Sequence, residues 1–309
     1  MTEPTPTASP PPTLLTGGTG LIGRHLRQRL EGRALRLLSR RPGAVPGGPV
    51  EQAEGWDGRH FEARHLSGCG AVVHLSGEPL FGLPSAGRLA RVRESRVAST
   101  RSLVESLAEL PAGEKPDVLV CASAVGYYGD RGETELDETA APGTGFLAGL
   151  CRDWEAEALR AAELGLRVVV LRTGVVLARD GGALALMLPV FRLGLGGPLG
   201  DGRQWFPWIH VDDEVGLLAR TLDDPTLEGP VNVVAPHPVR NEELTRRLAA
   251  KVGRPAWLRV PTFALRLVLG ELGRELLDSR RALPARALAA GYTFLRPRLE
   301  DALAAELQG

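Results

Sequence analysis

The run Thr16-Gly17-Gly18-Thr19-Gly20-Leu21-Ile22-Gly23 has the residue types and spacing of a loop that cradles phosphates. Gly17 and Gly20 permit a tight turn and close approach of backbone to a pyrophosphate, and Gly23 permits close packing of the helix that follows. Thr19, Leu21 and Ile22 then lie at a helix N-terminus, where unpaired N–H groups and partial positive charge attract an anion. Dinucleotide binding is the expected chemistry. A second cluster, Ser39-Arg40-Arg41, falls at the end of the next strand. An NAD site usually places a carboxylate there for the ribose hydroxyls, and this segment has none. Guanidinium forks suit a 2′-phosphate, so NADP(H) is expected over NAD(H). The competing reading is a solvated pair in an arginine-rich chain, whose only lysines are Lys115 and Lys251.

Other reactive residue types read more plainly. His60 and His65 lack H-E-x-x-H spacing, and Cys69, Cys121 and Cys151 form no C-x-x-C pair, so no metal site is expected. The cysteines read as small core residues of a chain in the reducing cytoplasm. His74, in mid-strand, reads as a core histidine.

Strands and helices must position these groups. Thr13 to Thr16, Leu35 to Leu38, Ala71 to Leu75, Val118 to Cys121 and Val168 to Leu171 read as strands. Leu21 to Leu30, Ser85 to Leu110 and Thr144 to Leu164 read as helices, the second with Leu89, Val92, Val97, Leu103, Leu107 and Leu110 inward. That alternation implies right-handed crossovers and an α/β Rossmann fold, a doubly wound parallel sheet with helices on both faces. A disordered proline-rich tail is expected over 1–12, a dinucleotide-binding domain over 13–178, and a smaller C-terminal substrate lobe over 179–309 that returns to the sheet near Val231 to Val234. Within that lobe Leu184 to Phe191 reads as a short helix and residues 205–211 as one strand. Asp212 and Asp213 read as caps of the next helix, Asn241 as the N-cap of another, and a last helix is expected near Pro297 with Leu299, Leu303 and Leu307 on one face.

Composition removes several function classes. The 309 residues carry 37 Lys+Arg against 37 Asp+Glu, which gives no global electrostatic case for nucleic acid or anionic membrane as a partner. No apolar run approaches the roughly 18 residues that span a bilayer. A small-molecule substrate is the expected partner.

The glycine loop, together with HLSGEPL (74–80), ESRVAST (94–100), SAVGYYGDRGE (123–133), LRTGVVLARDGG (171–182), the 191–213 block and ALPARALAAGYTF (282–294), resembles the extended short-chain dehydrogenase/reductase superfamily. More specifically it resembles an atypical "epimerase family" subgroup with a C-terminal domain of unknown function. The resemblance implies an NADP(H)-binding core and a cofactor wall built from Leu75, Ser76, Gly77, Glu78, Arg96, Arg172 and Gly174. It also places Ser123 where the superfamily has its catalytic serine. The Tyr-x-x-x-Lys relay expected on the following helix is missing, since Phe146 to Leu150 stands there. Tyr127 and Tyr128, just past Ser123, are the replacement candidates. Sugar-nucleotide epimerases resemble one another in a G-D-G-x-Q-x-R segment, and here Phe206 takes the place of its arginine. Arg203, Trp205, Phe206, Trp208 and His210 then form an expected pocket rim suited to a planar or apolar ligand. The long helices 85–110 and 144–164 match those that pair in many relatives, which makes a homodimer possible. Two functions remain open on this reading: a weak or specialised oxidoreductase on a small carbonyl or alcohol, and a non-catalytic NADP(H) sensor. Nucleotide-sugar epimerisation is a lesser third.

Overall fold

In the computed structural model, residues 10–44, 51–80, 87–269 and 272–307 are described. Their centre is a parallel sheet of strands β1 (Thr13–Thr16), β2 (Leu35–Ser39), β3 (Glu51–Gly55), β4 (Ala71–His74), β5 (Val118–Ala124), β6 (Arg167–Thr173) and β7 (Gly229–Val233). The order across the sheet is β7-β6-β5-β4-β1-β2-β3, which reverses direction at β1 as in a doubly wound fold. Side chains alternate between two cores because successive Cβ atoms point to opposite faces. Leu14, Leu119, Cys121, Val168 and Val170 pack on one face, and Leu15, Val118, Val120, Val169 and Leu171 on the other. This two-sided burial explains why the inner strands are nearly unbroken apolar runs. The polar sequence of β3 hid it from pattern reading, and it occupies the sheet edge beside β2, where polar side chains discourage further pairing.

Helices α1 (Leu21–Arg29) and α5 (Val211–Asp223) cover one face and pack on each other. The other face carries α2 (Ser99–Glu109) and α3 (Phe146–Leu159). The long helix expected over 85–110 is interrupted: a helix at Arg88–Arg93 leads into a π turn at Glu94–Ala98 before α2 begins, while Ser85 lies outside the described residues. The helix expected over 144–164 starts at Phe146 and tightens into a 3₁₀ segment at Arg160–Leu164. The outer faces of α2 and α3 are joined within the chain by the Arg101–Glu157 ion pair, and the helix Arg88–Arg93 is joined to α3 by Arg93–Asp153.

A third core belongs to the C-terminal lobe, where α4 (Gly182–Arg192), α6 (Asn241–Val252) and α7 (Leu299–Leu307) bury Leu184, Leu188, Leu244, Leu248, Leu299 and Leu303. Residues 205–211 are two strands rather than one. Pro207 separates Trp205–Phe206, which pairs with Val239–Arg240, from Trp208–His210, which pairs with Val175–Ala178. The cap of α5 is His210, whose Nδ1 accepts from the Asp212 N–H at 3.2 Å. Asp213 instead accepts from the backbone of Leu295 and Arg296 and fastens the C-terminal segment. Asn241 is the first residue of α6, and its side-chain oxygen accepts from Leu199 N–H at 2.8 Å. Residues 1–9 of the proline-rich tail lie outside the described residues, whereas Pro11 packs on Gly70 and the Pro12 carbonyl accepts from Gly70 N–H. No helix among the described residues is long and apolar enough to cross a membrane.

Two buried titratable groups sit in these cores. His74 has the expected core role: burial first, then the nearby Arg96 charge, pull it down to about 4. Glu214, in the first turn of α5, is 1% exposed. One oxygen accepts from Thr173 Oγ1 at 3.0 Å and the other has no hydrogen-bond partner. Burial pushes its carboxyl up to about 8 from 4.5, only partly opposed by the Thr173 bond. The folded state therefore holds this proton more tightly than the unfolded chain, and the associated stability is lost as pH rises from about 4.5 through 8. Glu214→Gln should melt near the wild-type temperature at pH 5 and above it at pH 8.5; parallel melting curves across that range would contradict the assignment.

Candidate cofactor and substrate site

The phosphate loop forms where β1 ends. Gly17 has φ +73°, and a Cβ there would lie 2.9 Å from the Leu75 carbonyl carbon. A Cβ on Gly23 would lie 2.2 Å from the Gly17 carbonyl oxygen, so the first turn of α1 can sit against the loop only with glycine at this position. Gly20 N–H closes the turn onto Gly17 O at 2.9 Å. As the N-cap of α1, Gly20 offers no side chain to the free amides, and the first turn contains no acidic residue. The positive pole of α1 is thus uncapped, which fits a pyrophosphate and leaves its amides for that anion. Thr19 is exposed, Leu21 packs against Gly181 and Gly182, and Ile22 joins the core beneath.

At the end of β2, Ser39 is half-buried and accepts from Arg41 N–H at 3.1 Å, while Arg40 and Arg41 are exposed. The Arg40 stem lies over Gly58. This edge is cationic, with no carboxylate among residues 39–42.

The strip after β4 is held from below. Thr16 Oγ1 accepts from Ser76 N–H at 3.3 Å, and Leu75 N–H donates to the Thr16 carbonyl. Ser95 Oγ accepts from Glu78 N–H at 2.9 Å, and Arg96 Nη1 donates to the Glu78 carbonyl at 2.9 Å. Both come from the π turn, which aims them at this strip. Gly77 makes room for the Arg96 guanidinium, since a Cβ there would lie 3.0 Å from Arg96 Cζ. Arg96 also lies over the Trp154 ring at 5.4 Å. Its role is to hold the Ser76–Glu78 backbone in place. Gly174 has a similar spatial duty, because a Cβ there would meet Pro207 O at 2.9 Å.

The candidates at the ends of β5 and β6 are brought together, but several serve another purpose than expected. Ser123 Oγ donates to Glu155 Oε1 at 2.6 Å. Glu155 forms a buried ion pair with Arg172, whose Nη2 donates to Oε2 at 2.9 Å and whose Nε donates to Oε1 at 3.0 Å. Arg172, 3% exposed, also donates from Nη1 to Tyr128 Oη at 3.0 Å and to the Glu138 carbonyl at 3.2 Å. Burial works against this charge, yet the Glu155 hydrogen bond and charge outweigh it and raise the guanidinium pKa. Arg172 is therefore committed within the protein rather than free for a cofactor. Tyr128 is likewise no surface acid. It is fully buried, its hydroxyl donates to Asn232 Oδ1 at 2.7 Å and to the Asp137 carbonyl at 3.0 Å, and burial pushes its pKa up to about 12 against the Arg172 charge. Tyr127 differs: it is half-buried, its ring lies under Arg172 Cζ at 3.5 Å, and its hydroxyl has no hydrogen-bond partner among the described residues.

The positions of α3 that face the end of β5 are Leu147, Cys151 and Glu155, one residue later in register than Phe146 to Leu150 suggested. Leu147 touches Gly126, burial pushes the Cys151 thiol up to about 12, and Glu155 takes Ser123. Glu155 escaped sequence reading, although a lone carboxylate on the buried stripe of a helix was a usable signal. Asn232 and Glu138 offered no such signal, since strands and loops distant in sequence bring them here.

The expected pocket rim is only partly a rim. Trp208 is 1% exposed in the lobe core and donates from Nε1 to the His237 carbonyl at 3.3 Å. His210 is buried too, paired through Nε2 with Glu306 on α7 at 2.8 Å. Both lie on the short, buried Trp208–His210 strand, which pairs with Val175–Ala178 in a separate two-stranded sheet. Trp205 is half-buried, flanked by Arg240 at 4.5 Å and Arg281 at 4.8 Å, and donates to Glu133. Phe206 is half-buried against the lobe core, and Arg203 is exposed, its N–H on Asp201.

Comparison with known proteins agrees with this geometry. Residues 13–234 match the NAD dependent epimerase/dehydratase family, and residues 260–306 match a domain of unknown function (DUF1731). The chain is 40% identical over 305 residues to the Epimerase family protein SDR39U1 homolog, chloroplastic, of Arabidopsis thaliana, covering 95% of this chain and 86% of that one. It is 38% identical to the Epimerase family protein Mb2239 of Mycobacterium bovis, covering 94% and 95%. The crystal structure of human epimerase family protein SDR39U1 (isoform 2) with NADPH superposes with TM-score 0.83 at 34% identity, covering 96% of this chain and 99% of that one. The plastid name of the first relative means that a cytoplasmic address is not common to the group. The glycine loop, the sheet order and the C-terminal lobe therefore identify the chain as a member of the NAD dependent epimerase/dehydratase family, with the extended short-chain dehydrogenase/reductase fold.

Proposed function

We propose that this chain binds NADP(H) and acts as a specialised oxidoreductase on a small carbonyl or alcohol. The observation that carries the cofactor is the uncapped positive pole of α1 combined with the carboxylate-free, doubly cationic end of β2. The NADPH in the human relative's crystal supports the same choice. When bound, the cofactor supplies or accepts a hydride at its nicotinamide ring. The chain's residues do the rest. The loop from Gly17 to Gly23 holds the pyrophosphate, Ser39, Arg40 and Arg41 meet the 2′-phosphate, and the Ser76–Glu78 strip borders the ribose. Tyr127, whose ring stacks on Arg172 and whose hydroxyl has no hydrogen-bond partner among the described residues, is the candidate to exchange a proton with substrate. The aromatic Trp205 and Phe206 favour an apolar or planar substrate over a nucleotide diphosphate. Positioning alone can lower a barrier by several kcal/mol, whereas loss of general acid–base help typically costs about 10²–10⁴-fold.

The apolar Leu147 and thiol Cys151 on the stripe facing Ser123 favour a second reading, in which the chain binds NADP(H) without turning it over.

Titration by nicotinamide fluorescence should show tighter binding of NADPH than of NADH. Replacing Arg40 and Arg41 by alanine should weaken NADPH about tenfold or more and leave NADH unchanged; equal affinity for both nucleotides in the wild type would overturn the choice. Against a panel of small carbonyls, Tyr127→Phe should lower turnover about 10²-fold with little change in Tm. Tyr128→Phe should instead cost about 1–3 kcal/mol of stability by leaving Arg172 and Asn232 short of a partner. Tight binding with no turnover on any carbonyl selects the sensor.

A further inference from the structure

The hydrogen bonds that end at Ser123 run in one direction. At the far end, Asn232 Nδ2 donates to the carbonyls of Leu136 and Leu283, which fixes its amide and turns Oδ1 toward Tyr128. Tyr128 has one proton and places it between Asn232 Oδ1 and the Asp137 carbonyl. Its oxygen is then free to accept from Arg172, which has only donors. Arg172 in turn donates to both oxygens of the Glu155 carboxylate, a group that has only acceptors. The contact of 2.6 Å between Ser123 Oγ and Glu155 Oε1 can therefore form only with the serine proton in it. Ser123 is left with lone pairs and no proton to offer.

From this direction of hydrogen bonding we infer that Ser123 faces the cleft as an acceptor, selecting a ligand group that donates N–H or O–H. This inverts the use of a serine that polarises a carbonyl by donating to it. Ser123 lies at the carboxyl end of β5, outside which ligands of doubly wound sheets bind, and it is 5% exposed. Two ligand groups have the required chemistry: the carboxamide NH₂ of a nicotinamide ring and the hydroxyl of an alcohol substrate. A ketone oxygen has no proton and gains nothing there. Glu155 is the positioning residue, because it never touches the ligand and acts by claiming the serine proton. The inference rests on the NADP(H) reading above.

The test compares ligands with and without the donor. The first arm titrates the wild type and Ser123→Ala with NADPH and with its reduced 3-acetylpyridine analogue, in which a methyl ketone replaces the carboxamide. The second arm holds NADP⁺ or NADPH saturating and titrates benzyl alcohol or benzaldehyde. Where Ser123 accepts, the donor-bearing member of one pair binds about tenfold more tightly than its partner in the wild type, and Ser123→Ala removes the gap by weakening that member alone. The arm in which this happens identifies the group that Ser123 meets. In Glu155→Gln the new amide can donate to Ser123 and release its proton outward, so the preference for the donor should shrink or invert while NADPH still binds. A merely structural Glu155 would weaken both members equally. Equal losses in both arms for Ser123→Ala, or an unchanged preference in folded Glu155→Gln, would falsify the acceptor assignment. Failure of the wild type to bind NADPH at all would instead remove the cofactor reading, and this inference with it.

Discussion

Much of this molecule is organised around one buried ion pair, Glu155–Arg172, whose side chains are 5% and 3% exposed. Removing two charges from water costs several kcal/mol each, and attraction offsets that cost only with good geometry and further hydrogen bonds. Both conditions hold. The guanidinium meets both carboxylate oxygens, and its remaining donors reach Tyr128 and the Glu138 carbonyl. Glu155 accepts in addition from Ser123. Stacking of Tyr127 on the guanidinium adds a cation–π contact in a poorly solvated place. The pair ties α3 to β6, and through Tyr128 and Asn232 it reaches β7 and the C-terminal segment at Leu283.

That connection makes the C-terminal lobe a structural part of the site. Three polar ties, each between distant stretches of chain, fasten its C-terminal segments, two of them to α5 and its cap and one to α3. The Asp213 carboxylate takes the backbone N–H groups of Leu295 and Arg296, Glu306 on α7 takes His210, and Glu275 takes Leu147 N–H at the start of α3. The last of these matters most for the cleft. A carboxylate from the lobe satisfies a helix N-terminus on the helix whose buried stripe faces Ser123, so lobe position and site geometry are coupled. Ser279 adds to this fastening by accepting from Trp205 N–H while its own hydroxyl donates to the Gly132 carbonyl.

The phosphate end and the reactive end of the cleft are built on different physics. At the phosphate end the protein offers exposed backbone amides and arginine, and glycine is required because backbone approaches backbone. At the reactive end every charge is already met inside the protein. Ser123, Tyr128 and Arg172 spend their hydrogen bonds on one another and on Glu155, Glu138 and Asn232. Of the candidate side chains at this end, Tyr127, Trp205 and Phe206 keep partial exposure, and all three are aromatic.

Local features were legible in the sequence because their causes are local. The glycine loop, the apolar strands, the core role of His74 and the helix stripe of Leu299, Leu303 and Leu307 follow from turn sterics and periodic burial, which neighbouring residues decide. Family membership was legible for the same reason, since it rests on ordered blocks of such residues. What failed depended on contacts across long separations. Trp208 and His210 look like pocket residues in a line of aromatics, until pairing with Val175–Ala178 draws them inside. Tyr128 looks like an acid until Asn232, 104 residues away, accepts its hydrogen bond. The strand β3 carries no apolar alternation, so only its place at the sheet edge reveals it. Sequence alone thus determined that a dinucleotide loop and a parallel sheet exist, because sterics and burial act residue by residue. Tertiary structure alone decided which polar side chains remain free to act, because a hydrogen bond or an ion pair is defined by whatever the fold brings within about 3 Å.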